Sequence, residues 1–258
     1  MRGLEFSVSY TYSHALDSVS NGGILPYSFN DSVGPAINPF NLRALNYGNG
    51  DNDVRHNINA NYVWQIPSHY HGIMNQVLGG WIVSGTVFAR SGYPFTMLDT
   101  SLAGVFGNST GYAIGFSPLP TFVGSRIPDC TGHSQTTGCF GASPDLQFQS
   151  GIGGAGPVWD GTFGHTRRNT FRGPHYFNSD FSVLKNFKVT ERVGFGVGAN
   201  MYNVFNHPNF GNPFHDLAAG ALAGMAYTTV EPATSPYGAF VGAAASGRII
   251  QLHANLNF

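Results

Sequence analysis

The chain has 258 residues, of which 10% are charged and 14% aromatic, and its net charge is −1. Soluble domains carry about a quarter charged residues, so this composition is short of what a water-facing surface uses. The wealth of Phe and Tyr argues against disorder, and the near-zero charge gives no sign of a nucleic-acid partner. No apolar run reaches the roughly 20 residues that a membrane-spanning helix needs.

The opening MRGLEFSVSYTYSH alternates where a secretory signal would be continuously apolar. It reads as a strand cut from a longer chain. In Leu4–Ser13 the apolar set Leu4, Phe6, Val8, Tyr10 and Tyr12 interleaves with Glu5, Ser7, Ser9, Thr11 and Ser13. Val54–Ile66 repeats the pattern, with Ile58, Ala60, Tyr62, Trp64 and Ile66 against Asn57, Asn59, Asn61 and Gln65. Trp81–Arg90 does so less cleanly. Tyr176–Lys185 sets Phe177, Phe181 and Val183 opposite Asn178, Asp180 and Ser182. Arg192–Tyr202 opposes Val193, Phe195, Val197, Ala199 and Met201 to a stripe containing Gly194, Gly196, Gly198 and Asn200. Gly247–Phe258 is the sixth alternating segment and stops on Phe258. No convincing amphipathic helix is predicted; 217–225 could make one turn or two.

Period-2 alternation over segments this long predicts strands. Soluble strands usually have about 5–6 residues, whereas a tilted strand crossing a bilayer needs about 9–11. The connections between the six segments are long (14–53), short (67–80), long (91–175), short (186–191) and long (203–246). An up-and-down sheet with every long loop on one side produces that parity, as barrels of the outer membrane do. The polar stripe is mostly Ser, Thr, Asn and Gly rather than Lys and Glu, which suits a lumen or a plug-facing wall. Tyr10, Tyr12, Tyr62, Trp64, Trp81, Phe195 and Phe258 are then lipid-facing or girdle candidates; the alternative is that aromatics are simply common in strands. The fold class expected is all-β: an antiparallel up-and-down transmembrane β-barrel segment, partial, with about six long strands, long outside loops and short periplasmic turns.

Smaller signals have plainer readings. Cys130 and Cys139 lie in DCTGHSQTTGCF, where a loop disulfide is sterically reasonable; two unpaired thiols are the alternative. His69 and His71 form an i, i+2 pair with no third metal ligand in view. NGDND (Asn49–Asp53) supplies oxygens at alternating positions but lacks the closing Glu of a calcium loop, and Asn, Gly and Asp are turn residues. GIGGAG (Gly151–Gly156) follows no strand that opens a helix, so it does not read as a phosphate loop. There is no GxSxG nucleophile elbow. Arg167, Arg168, Arg172, Lys185 and Arg192 either attract anions at the lumen mouth or pair with inward carboxylates such as Asp180; the structural role is favoured. Asn206, His207, Pro208 and Asn209 form a turn whose job is shape.

The segments DVRHNINANYVWQIP (Asp53–Pro67), GGWIVSGTVFARSGYPFT (Gly79–Thr96), RNTFRGPHYFNSDFSVLKNFKVTERV (Arg168–Val193) and MYNVFNHPNFGNP (Met201–Pro213) resemble the C-terminal barrel of TonB-dependent outer-membrane receptors. Oar-like receptors with a carboxypeptidase-regulatory-like domain are the subgroup resembled most. The final RIIQLHANLNF is similar to the strand read by the barrel assembly machinery, which makes Ile250, Leu252, Leu256 and Phe258 assembly-signal candidates. The resemblance covers nearly the whole chain and is weakest in 21–38, 98–150 and 216–242. It implies that residues 1–258 are the C-terminal part of a 22-stranded barrel whose plug, TonB box and N-terminal domains are missing from the sequence.

The expected partners are outer-membrane lipid, the assembly machinery, the remaining barrel and plug, TonB only through that plug, and an unknown small ligand. No cofactor, metal or catalytic residue is expected. Recognition would reside in loops 15–53, 92–167 and 206–246. The rival readings are a small porin-like or adhesin barrel and a secreted soluble β module that binds glycans.

Overall fold

A computed structural model of the chain describes residues 3–18, 43, 47–67, 71–97, 120–126, 128–131, 138–141, 148–149, 166–188, 190, 193–226, 229–230 and 247–258. Among the described residues six long strands form one sheet: β1 (Leu4–Tyr12), β2 (His56–Gln65), β3 (Trp81–Arg90), β4 (Tyr176–Lys188), β5 (Gly194–Tyr202) and β6 (Ile249–Asn257). Their spatial order is their chain order, and each pairs antiparallel with the next. The alternating segments are thus recovered, with ends shifted by a few residues. β4 runs on to Lys188, and the alternating stretch that opened at Val54 becomes a strand only at His56.

The register decides what the sheet can do. Directly opposed residues share a face, so one row can be followed across all six strands: Phe6, Tyr62, Gly85, Phe181, Met201 and Ile250. A neighbouring row on the other face holds Glu5, Val63, Ser84, Ser182, Asn200 and Gln251. A slip of one residue at any pair would mix the two faces. None occurs, and the apolar stripes of six separate segments merge into one continuous wall.

No second layer covers that wall among the described residues. Phe6 is 72% exposed and Leu252 79%. The hydrophobic cluster lies elsewhere, in Phe95, Met97, Cys130, Phe140, Phe148, Phe171 and Ala223, all outside the six strands. Both the sequence reading and the structure leave these stretches as connections, yet the structure packs them into a core.

Two short ladders hold the connections together at the end where β1 finishes and β4 begins. Leu16–Asp17 pairs with Gly48–Asn49, and Pro94–Phe95 with Phe171–Arg172. A third ladder joins Thr121–Phe122 to Phe148–Gln149. At the opposite end lies a short helix, α1 (Ile73–Leu78), between β2 and β3. No helix was expected there; six residues between glycines are too few to display a 3.6-residue period. A 3-10 segment at Leu217–Leu222, interrupted at Gly220 with φ 59°, is what the expected one or two turns become. No helix among the described residues is long and apolar enough to cross a membrane.

Candidate recognition surface at the outer rim

The strand ends facing the long connections carry a buried polar network. Asp53 is fully buried where the chain enters β2. Its Oδ1 accepts from the backbone N–H of Ala15 at 2.8 Å. Its Oδ2 accepts from Arg55 Nε at 3.1 Å and also from Arg172 Nη2. Arg172 donates further through Nη1 to the carbonyls of Asp53 and Gly92, at 2.9 and 3.2 Å. One carboxylate therefore ties together two long connections, 14–53 and 91–175. This is the arrangement a buried charge requires: opposite charge nearby and hydrogen bonds on its remaining lone pairs.

Asn169 forms the second node, fully buried and with φ at 55°. Its side chain donates to the Asn49 carbonyl and to Asp51 Oδ1, both at 2.7 Å, while its backbone N–H donates to Thr96 Oγ1 at 2.9 Å. Arg168 Nη2 donates to both the carbonyl and the carboxylate of Asp17. Beside this network stand five phenylalanine rings, Phe95, Phe122, Phe140, Phe148 and Phe171, with contacting centroids 4.9–5.8 Å apart. The long connections thus form a small cap with its own core. The Cys130–Cys139 disulfide is formed and packs into it.

Below the cap the polar face of β2 to β5 holds a depression of about 390 Å³. Asn61, Ser84, Thr86, Asp180, Ser182 and Asn200 are among its lining residues. The Asp180 carboxylate accepts from Asn178 Nδ2 at 2.9 Å and from the backbone N–H of Asn203 at 3.0 Å. Ser182 Oγ donates to Asn200 Oδ1 at 2.7 Å. Tyr62, Val63, Phe181, Met201 and Tyr202 also line it, so the depression mixes neutral donors and acceptors with a mostly apolar surface.

A family model described as outer membrane beta barrel domain matches residues 1–251. The chain belongs to the outer membrane β-barrel domain family. No curated protein and no solved structure matches it. The barrel domain accordingly resides in the outer membrane, where the apolar face of such a wall is expected to meet lipid and the polar face the lumen. With short turns on the periplasmic side, the cap stands outside the cell.

The site residues read from sequence now have places. Tyr10 and Tyr12 share the apolar face at the outer end, and Tyr10 Oη lies 2.9 Å from His56 Nδ1. Trp64, Trp81 and Phe195 share that face at the periplasmic end, where Leu256 of β6 opposes Phe195; Ile250 opposes Met201 near the outer end and Leu252 lies between them. Phe258 follows β6 and is 97% exposed. Tyr62 is on the same face, three residues from the end of β2, with its ring lying across Gly85.

Arg168 and Arg172 pair with the carboxylates of Asp17 and Asp53 rather than with Asp180. The reason is position, since Asp180 points into the lumen below the cap. The Asn49–Asp53 oxygens are turned onto Arg and Asn donors, which is the loop role and not a cation cage. Among the described residues no three His, Cys, Asp or Glu groups gather as a metal cluster. Asn203 (φ 50°) and Asn206 (φ 52°) build the turn leaving β5, and Asn206 Oδ1 accepts the N–H of Arg248 at 2.9 Å at the entry to β6. His69, Gly151–Gly156 and Arg192 lie outside the described residues.

The phenylalanine core and the Asn169 node escaped the sequence reading. Their residues are scattered over 95–171 without a period. The one available cue was the density of Phe in a stretch otherwise made of Gly, Ser and Pro.

Proposed function

We propose that the chain supplies barrel wall and outer recognition loops to a TonB-dependent receptor of the Oar-like kind, working in the uptake or surface recognition of a small ligand. It performs no catalysis and holds no cofactor in this reading. The single observation that carries it is the cap: long connections on one side of the wall are folded around a core and stapled by Asp53 and Arg172, as a surface that must keep a fixed shape for a ligand would be. The sequence resemblance supplies the subgroup. Ile250, Leu252, Leu256 and Phe258 serve the assembly machinery in the same reading.

Reading the DNA upstream of Met1 is the test. An in-frame continuation encoding more alternating strands and a plug supports the receptor. An in-frame stop directly upstream, together with closed oligomers of this chain in detergent, replaces it with a porin-like barrel built from several copies. That second reading has its own support: β1 and β6 are not paired with each other among the described residues, and an open edge in lipid must find a partner.

A further inference from the structure

The periplasmic end of the wall carries an apolar patch that the barrel reading does not use. In α1 the side chains of Ile73, Met74, Val77 and Leu78 fall on one side of the helix and Asn75 and Gln76 on the other. All four apolar side chains are exposed, Ile73 to 80%. Four bare apolar side chains on six residues are costly in water.

The attachments of α1 indicate which solvent it meets. Trp81 Nε1 donates to the Val77 carbonyl at 3.0 Å, and Lys185 Nζ donates to the Gly79 carbonyl. Trp81 and Lys185 are directly paired in the register, and both belong to the lipid-facing row set. The C-terminal carbonyls of α1 are thus held from the outer circumference of the wall, not from the lumen. Lys185 is the one Lys or Arg on that face among the described residues of the six strands. Its ammonium lies 5.4 Å from the Trp81 ring and 5.1 Å from that of Phe187. Phe187 in turn stacks on Phe195 at 6.4 Å. Lys185 is only 2% exposed, so it fixes α1 to the wall, while Trp and other aromatic rings at this level are of the kind that settles where hydrocarbon meets headgroups.

We infer that α1 is an interfacial anchor: it lies in the periplasmic leaflet with Ile73, Met74, Val77 and Leu78 among the upper acyl chains. Trp81 and Lys185 clamp it at headgroup depth. Its occupant is phospholipid, because the patch is continuous with the lipid-facing wall. The inference rests on the lipid assignment of that wall, not on the receptor assignment.

The test places a nitroxide spin label at each position from 73 to 78 of the complete barrel protein. The protein is reconstituted in phosphatidylethanolamine–phosphatidylglycerol vesicles with the native disulfide intact. Collisions with oxygen, which concentrates in lipid, are compared with collisions with a water-soluble nickel chelate. Labels at 73, 74, 77 and 78 are expected to favour oxygen several-fold over labels at 75 and 76. Equal access of the nickel chelate to all six positions would overturn the anchor in favour of a helix standing in the periplasm. Protection of the apolar positions from both reagents would overturn it in favour of a covering protein. A label at position 8 on the wall is the control. If it too favours the chelate, the lipid assignment itself has failed; if it favours oxygen, a negative result concerns α1 alone.

Discussion

Arg172 holds the buried carboxylate of Asp53 and, with the neighbouring nitrogen of the same guanidinium, the Asp53 backbone carbonyl at 2.9 Å, across 119 residues of chain. Because Arg55 shares that carboxylate at 3.1 Å, the pair is the point where two outer connections meet the rim of the wall.

Removing Arg172 leaves the buried Asp53 carboxylate with Arg55 as its remaining cation. Arg172→Ala is expected to cost the cap less than the about 3–5 kcal/mol of a buried pair broken outright. Hydrogen exchange is the measurement: amides of 92–97 and 166–172 should lose protection while those of β5 and β6 keep theirs. Uniform loss over both regions would show that the cap and wall unfold as one unit.

The disulfide closes a short loop, Cys130 and Cys139 being nine apart in sequence, and clamps it against Phe140. Replacing both cysteines by serine should destabilise the cap by about 2–4 kcal/mol, as is typical for such links. Limited proteolysis on intact cells would reveal it as faster cleavage in this loop. An unchanged cleavage rate would mean that the phenylalanine core alone holds it.

Asp129 gives the same loop an acid limit. Its carboxylate accepts from the Thr131 hydroxyl and from the Thr131 amide at 2.9 Å, and these bonds, in that order, lower its pKa below the ordinary 3.8. A carboxyl depressed in the folded state contributes stability above its unfolded value and loses it as pH falls through the folded one. Exchange at the Thr131 amide should therefore show no Asp129-dependent loss of protection between pH 5 and 8 and should accelerate only below about pH 4, near the ordinary Asp value. In Asp129→Asn that acid limb should disappear.

The two faces of β1 offer a matched pair of substitutions. Val8 is on the lipid face near mid-strand and Ser9 is on the lumen face. Arginine on the lipid face at the bilayer midplane costs about 2–4 kcal/mol, so Val8→Arg should lower the denaturant midpoint of the liposome-folded barrel far more than Ser9→Arg. Equal effects would contradict the lipid assignment.

Glycine supplies the remaining prediction. A Cβ at Gly198 would stand 2.5 Å from the ring of His253 on β6, and one at Gly85 would stand 2.6 Å from the Asp180 carbonyl and 2.8 Å from Tyr62 Oη. Gly198→Val should push β6 away from β5 and reduce the heat-resistant folded band on gels, while Gly3→Val, with open space around it, should not.

How far the sequence could be read follows from where the information sits. Strand existence and facing were legible because a period of two is written into every wall segment, and Phe6, Tyr62 and Phe181 fell into one row without adjustment. The alternation of long and short connections also gave the strand order. The cap was not legible: Phe95 and Phe171 meet through tertiary packing that leaves no periodic trace. The partner of Arg172 was misread as well, because Asp180 is close in sequence whereas Asp53 is close in space. The helix α1 was hidden by its brevity.

The separation of the phenylalanine cluster from the wall has a consequence for how such a protein can vary. Substitutions in the cap are filtered by aqueous cohesion and substitutions in the ribbon by insertion into hydrocarbon. A lineage can therefore remodel its outer connections without renegotiating how it enters the bilayer.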